Sequence, residues 1–443
     1  MKEKIIEFLS FLLVIILLIV MTVSSIVLTY NINFNLKDYS YYLITVGIIG
    51  LIIYIISKIK NFKFTKIEIF IFVLMILSTL SIFTAINLDD ALFGRINRRE
   101  GLFDILTYYI MALNCMSIKN KKYIKIIISF ICIYALINIF YGLFQIGILT
   151  SSNFEIIGSW HYARGFLGNS MYFGTLMAIF YGISIGLFIK TNELSKTIIA
   201  YILLLTSSIG IIMSGSMSVF VSTIFIYLVI LFQAIVKIVK KDKDGIDQLL
   251  QLIFCVITFV LLLIISIQNN NSNVGKDISE LVGESKNVST GVVKDNYGTG
   301  RIYIWKNTID KIVENKGIGV GIDNFYNAFE GQLIDVKSNM PVDKAHNDYL
   351  QKMLCEGVIS GIAFIAFLSI IFFKNIRKNL SPVYYGLFLA FTSYSVQAFF
   401  NISVTRVAPI YFVIIGLLIG EEYQKVSLSE KTSKNVKKSK KAI

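Results

Sequence analysis

Long apolar runs alternate with short polar breaks along nearly the whole chain. The runs are each about 18 to 25 residues, the length a helix needs to cross a hydrocarbon core of roughly 30 Å. By that criterion about twelve spans are expected, at 5–30, 39–58, 67–87, 101–118, 124–149, 168–189, 196–213, 217–239, 249–268, 348–373, 382–402 and 406–420. The fold class this predicts is an all-α membrane protein, a polytopic bundle with one long loop between the ninth and tenth spans. The chain then divides into spans one to nine (1–268), a long loop (269–347), the last three spans (348–420) and a basic tail (421–443). No internal repeat is visible.

Two patterns meet within the long loop. Its first part, NNNSNVGKDISELVGESKNVSTGVVKDNYG, is polar and rich in turn formers, and is expected to be mobile. From Arg301 onward Ile302, Trp305, Ile309, Ile312 and Val313 recur at helical spacing, which predicts an amphipathic surface helix over about 301–314. The KGIGVGIDNF stretch that follows comes after a helix rather than a strand and lacks dinucleotide-binding spacing. It reads as a tight turn of permissive backbone.

Composition agrees with the pattern: the chain is 55% hydrophobic with only 3 Pro, its mean hydropathy is +0.70, and no soluble catalytic domain is left over. The first run is too long for a signal peptide and lacks a small-x-small cleavage site, so it reads as a retained span. The 4 Cys, Cys115, Cys132, Cys255 and Cys355, fall in or beside apolar runs at unrelated spacings. They suggest neither a disulfide framework nor a zinc site.

Charge sharpens the topology. The net charge of +14 does not point to nucleic acid, because the lysines gather in alternate loops: KIKNFKFTK (58–66), KNKKYIK (119–125), KTNELSK (190–196), KIVKKDKDG (237–245) and KNIRK (374–378). The positive-inside rule places those loops and both termini in the cytoplasm of a multi-pass plasma (inner) membrane protein. The Lys431–Lys441 run reads as a solvated basic tail near anionic lipid.

The opposite, extracytoplasmic loops hold both histidines, His161 and His346, and Arg95, Arg98, Arg99, Arg164, Arg301 and Arg406. Insertion alone would put arginine with lysine. Guanidinium grips phosphate bidentately, so arginines at headgroup level suit a lipid-linked diphosphate; snorkelling to ordinary lipid phosphate is the plain alternative. Asp89, Asp90, Asp343 and Asp348 are scattered and form no ligand motif, so neither a metal nor another cofactor is expected. The spans carry almost no ionisable group at mid-depth, where a transporter would bury them.

Arg301 with Trp305, then GIGVGIDNF, AHNDYLQKMLCEGVISG and QAFFNISVTRVAPIYFVIIGLLIG, resemble the signature of the O-antigen ligase and polymerase family of membrane glycosyltransferases. GRINRREGLFDIL (94–106) and RGFLGNSMYFGTLMAI (164–179) match family patterns too. The resemblance implies a GT-C-type enzyme of cell-surface polysaccharide biosynthesis. Such an enzyme takes a glycan from undecaprenyl diphosphate and polymerises it or transfers it to a glycan, lipid or protein acceptor. It implies catalytic positions at Arg164, Arg301 and His346, and substrate binding by Arg95, Arg98, Arg99, Trp305, Asn347, Asp348 and Arg406. One departure stands out: the family often carries Ser-Arg at a central turn, whereas MSGSMSVF has Met217 there. Transfer to protein, and transport of the lipid carrier, remain the alternative functions. His346 is open to use as a base on the acceptor hydroxyl, as a diphosphate ligand or as a cap on the next span; His161 reads as a solvated loop histidine.

Overall fold

The structure, a computed structural model, describes residues 2–30, 35–59, 63–147, 162–191, 193–268, 274–290, 294–336 and 339–421. His161 and the Lys431–Lys441 tail lie outside them. Among the described residues the regular structure is helical, apart from an isolated bridge between Ile334 and Pro341. In chain order the helices are α1 (Lys2–Thr29), α2 (Leu36–Lys58), α3 (Lys66–Leu80), α4 (Leu88–Phe93), α5 (Leu102–Cys115), α6 (Lys121–Gln145), α7 (Ser170–Lys190), α8 (Leu194–Ser214), α9 (Met217–Val239), α10 (Asp244–Gln268), α11 (Val274–Ser289), α12 (Arg301–Glu314), α13 (Phe325–Ala328), α14 (Asp348–Glu356), α15 (Val358–Ile376), α16 (Pro382–Gln397) and α17 (Ala408–Glu421). Nine helices among the described residues are long and apolar enough to cross a membrane: α1, α2, α3 with the turn that extends it to Thr84, α6, α7, α8, α9, α10 and α15. The apolar α5 and α17 are shorter.

Local chemistry sets the helix starts. Asn35 with Asp38 opens α2 and Thr65 with Glu68 opens α3, each as a reciprocal capping box. Asn169 opens α7 by accepting the Met171 N–H at 2.7 Å. The bundle is built around α7, nearly all of which is buried. Its Gly182 and Gly186 meet Ala390 and Gly386 of α16, so close that a Cβ on Gly186 would lie 2.4 Å from the Gly386 Cα. Small residues four apart on both helices thus bring backbone against backbone, as membrane helices do when dispersion rather than the hydrophobic effect must hold them.

Two expectations change. The apolar run expected to be continuous over 348–373 is broken at Gly357, whose φ of +96° separates α14 from α15. The Val358 N–H donates to the Gly317 carbonyl at 2.9 Å instead. The stretch expected to be turn-rich forms α11. In its sequence Val274, Ile278, Leu281 and Val288 recur at helical spacing, with the carboxylates Asp277, Glu280 and Glu284 set between them.

Buried ionisable groups are also more numerous than the sequence suggested. Asp104 accepts from Ser40 Oγ at 3.0 Å, and Lys352 pairs with Glu356, which also accepts from Ser78 Oγ at 2.5 Å. These belong to the first turns of α5 and to α14. They gather at one end of the bundle together with Arg95, Arg98 and Glu100. Lysines gather at the other end: Lys58 pairs with Glu68, Glu7 accepts the Lys119 and Asn120 N–H groups, and Lys190 donates to Asn379 at 3.2 Å.

Candidate functional site

The KGIGVG turn is where the site begins. Gly317 and Gly321 take φ of +71° and +97°, and a Cβ on Gly319 would lie 2.5 Å from the Cys355 carbonyl. The turn can therefore lie flat on the end of α14, where Val320 and Gly321 N–H groups donate to Leu354 and Cys355 at 3.0 and 2.9 Å. Orphan carbonyls of a helix end are satisfied this way. The turn's function is architectural, as its spacing suggested.

The turn delivers Asp323 to a buried polar cluster. Lys344, itself 3% exposed, donates to Glu100 at 2.6 Å and stands 3.6 Å from Asp323. Ser403 Oγ and Tyr108 OH complete the Glu100 carboxylate at 2.6 and 3.2 Å, and the Arg95 N–H donates to Asp323 at 2.7 Å. Burial works against the Lys344 charge, yet Glu100 and Asp323 hold its pKa above the ordinary lysine range. Burial raises the Asp323 carboxyl to about 6, with Lys344 opposing. This cluster ties the 94–101 loop, the glycine turn and the Ala-His-Asn-Asp run into one block. Sequence reasoning passed over Lys344 and Glu100, although each adjoins a motif it had singled out.

His346 is fixed by that block. Its neighbours on either side are anchored: the Ala345 N–H donates to Gln351 Oε1 at 2.9 Å, and the buried Asn347 caps α14 by accepting from Tyr349 and Leu350 at 3.0 and 3.1 Å. Between them His346 adopts φ of +49°, a sparsely populated conformation that persists only where its surroundings impose it. Its Nδ1 is buried and has no hydrogen-bond partner. Burial, reinforced by the charges of Arg301 and Arg98, lowers its pKa to about 4, with Asp343 opposing. At neutral pH the imidazole is uncharged.

His346 and Arg301 open into one cavity of about 370 Å³. Its floor is made of the amino ends of three helices: Ser170 and Met171 of α7, Ser216 and Met217 of α9, and Arg301 of α12. Ser216 leaves α9 without a side-chain cap, so its positive end remains available to an anion, whereas the Arg301, Ile302 and Tyr303 N–H groups of α12 donate to the Gly298, Tyr297 and Asp295 carbonyls and leave that helix only its dipole. Arg301 Nη1 donates to the Gly298 carbonyl at 2.9 Å and Thr299 Oγ1 at 2.6 Å, while its Nε is buried without a partner. Gly215, at φ +58°, admits the Tyr162 ring, which would lie 2.1 Å from a Cβ there. Across the cavity stand Asp277, Glu280 and Glu284 of α11 with Asp335. Tyr162 OH donates to Asp277, and the Gly298 N–H donates to Glu284 at 2.8 Å. Met217, where the family pattern often has arginine, faces this same space.

The other expected site residues fall around the cavity rather than in its lining. Arg164 follows Tyr162 by two residues and its N–H donates to Gln145 at 2.9 Å. Arg98 clasps Asp343 with Nε and Nη2 at 2.6 and 2.9 Å, which keeps that carboxylate below the usual range despite its burial. Arg95 stacks 3.4 Å over the Tyr326 ring, and Arg99 takes φ of +50° with its Nε buried and unpartnered. Arg406 donates to the Phe166 carbonyl at 3.2 Å. Trp305, one turn along α12 from Arg301, meets Phe399 at 5.5 Å between ring centres. Asp348 lines a separate, smaller cavity with Glu100, Lys344 and Lys352. Among the described residues no group of three or more His, Cys, Asp or Glu side chains is placed to hold a metal ion.

The segment that supplies most of this cavity is also the segment that is similar to known proteins. A family model described as O-antigen ligase matches residues 202–365. Over those residues, just over a third of its length, the chain is similar to the O-antigen ligase family. The matched stretch contains Gly215 to Met217, Arg301, Trp305, His346, Asn347 and Asp348. Arg95, Arg98, Arg99, Arg164 and Arg406 lie outside it. No curated protein matches the chain. That likeness and the long apolar helices support a membrane enzyme of glycan ligation.

Proposed function

We propose that this protein transfers or polymerises a glycan from undecaprenyl diphosphate onto a cell-surface acceptor, in the cavity shared by Arg301 and His346. The observation that carries the reading is that shared cavity at three helix amino ends, with one permanent cation and one uncharged imidazole beside each other. In this reading the bundle crosses the plasma membrane about twelve times, with α5, α16 and α17 as short crossings and α14 with α15 as a broken one. The lysine end and both termini face the cytoplasm, and the arginine end faces outward.

Cleaving a sugar–diphosphate bond leaves negative charge on the departing phosphate. Arg301 and the α7, α9 and α12 dipoles stabilise that charge without reorganising. Arg164, close to Tyr162, and Arg98, close enough to act on the His346 charge, extend the positive field toward the carrier. Arg95, Arg99 and Arg406 surround that path, and Trp305 holds α12 against the bundle.

His346 accepts the proton of the attacking acceptor hydroxyl. Burial first, and then Arg301 and Arg98, keep its basicity low; a bound diphosphate offsets those two cations and raises it, so the base is strengthened when donor is present. Purified protein given lipid-diphosphate oligosaccharide and acceptor should release carrier and form product. The His346→Ala and Arg301→Ala variants should do so barely at all. Equal product from all three forms overturns the assignment.

A further inference from the structure

A second large hollow lies at the lysine end, far from the transfer cavity, and its chemistry is different. It measures about 740 Å³, within the roughly 300–1,000 Å³ typical of ligand pockets. Its walls are apolar, among them Ile128, Ile133 and Leu136 of α6 and Ile199 and Leu203 of α8. Ile133 and Ile199 are 49% and 59% exposed, so the groove opens sideways, in the direction the hydrophobic flanks of these helices face. Its rim is cationic: Lys121 and Lys125 of α6, Lys190 of α7 and Lys196 of α8.

Two of those cations are not spent on the protein, while Lys190 stands 5.2 Å over the Tyr385 ring. Lys196 is paired with Glu193 at 2.5 Å, but the Lys121 and Lys125 ammonium groups have no partner among the described residues. Lys190 has only the neutral Asn379 at 3.2 Å as hydrogen-bond acceptor and feels the like charge of Lys237, with Asp242 and Asp244 farther along that loop. A hydrocarbon-lined slot ending in uncompensated ammonium groups is complementary to a molecule that is a hydrocarbon chain at one end and a phosphate at the other. We infer that this groove binds one anionic diacyl phospholipid, its acyl chain along Ile133 and Ile199 and its phosphate against Lys121, Lys125 and Lys190. The inference does not depend on the transfer reaction, because no residue of the groove touches the Arg301 cavity.

The test is native mass spectrometry of the full-length protein in detergent, titrated with phosphatidylglycerol or with phosphatidylcholine of the same chains. One phosphatidylglycerol should bind in clear preference to phosphatidylcholine. Each of Lys121→Gln, Lys125→Gln and Lys190→Gln should weaken it about five-fold, as expected for one lysine near an anionic surface. Ile133→Trp with Ile199→Trp, which fills an exposed slot rather than a packed core, should abolish the bound lipid while leaving the melting temperature unchanged. Lys240→Gln with Lys241→Gln, on the same side but outside the groove, should have no effect. Equal affinity for the two lipids, insensitivity to the groove variants, or displacement of phosphatidylglycerol by equimolar undecaprenyl phosphate each overturns the inference.

Discussion

At its Ser170 end α7 opens onto Arg301 and His346; at its Lys190 end, about 30 Å away by helix rise, it opens onto Lys121 and Lys125. Both ends carry cations, and they are built differently. At the first, charge is held inside the protein. Arg98 is clasped by Asp343, Lys344 by Glu100, and Arg301 by Gly298 and Thr299, so each cation has a fixed direction. At the second, two of the lysines are exposed and free to follow whatever approaches. Fixed cations suit a transition state, whose charge appears at one place; mobile ones suit a headgroup, which needs only an attractive rim.

Substitutions at the two ends should therefore differ most in rate. The largest effect is expected for His346→Ala, a loss of roughly 10²–10⁴-fold in carrier release if the imidazole is the base, against less than about two-fold for Lys125→Gln, which removes one surface charge. Arg301→Ala should follow at about 10²–10³-fold, and Arg301→Lys should recover part of it, since charge returns without the fork. A result in which Lys125→Gln cost as much as Arg301→Ala would erase the distinction.

Removing a clasped cation should be felt in stability as well. Lys344→Met leaves Glu100 and Asp323 buried without their counter-charge, and a loss of about 3–5 kcal/mol is expected from a broken buried pair. A lowered melting temperature would report it. Lys121→Met at the exposed end should melt with the unaltered protein.

The smallest and sharpest expectation concerns pH. In the free enzyme His346 has a pKa of about 4, so it is neutral and competent down to that region and becomes protonated only as pH falls through it. The acid limb of kcat/KM owed to this group should then lie near 4. A bound diphosphate raises the pKa, so the acid limb of kcat should lie at higher pH. Coincident limbs would mean that the diphosphate and the imidazole do not sense each other.

Much of this was legible in the residues. Apolar run lengths marked the helices, and the Ile302, Trp305, Ile309 spacing marked α12 to the residue at its start. The broken helix at Gly357 was hidden because an apolar run carries no record of one left-handed dihedral within it. α11 was hidden because its few apolar residues, Val274, Ile278, Leu281 and Val288, keep helical spacing but are diluted by turn formers such as Gly275, Ser279, Gly283 and Ser285. Of the site, the Arg301–His346 pairing followed from a resemblance in motif order; nothing in spacing alone places residues 45 positions apart in one cavity. Lys344 and Glu100 were missed because a buried ion pair between distant loops leaves no local periodicity.

The glycine seam between α7 and α16 bears on how substrate gets in. With bare backbone on backbone at Gly182 and Gly186, there is no side chain that could swing aside and let one helix slide past the other. The central rods must travel through a catalytic cycle as a single rigid spar, and the doorway has to be hung elsewhere. Of the walls around Arg301, α11 is joined to the rest by such contacts as Tyr162 to Asp277 and Gly298 to Glu284, and polar latches of this sort can be lifted without unpacking a core.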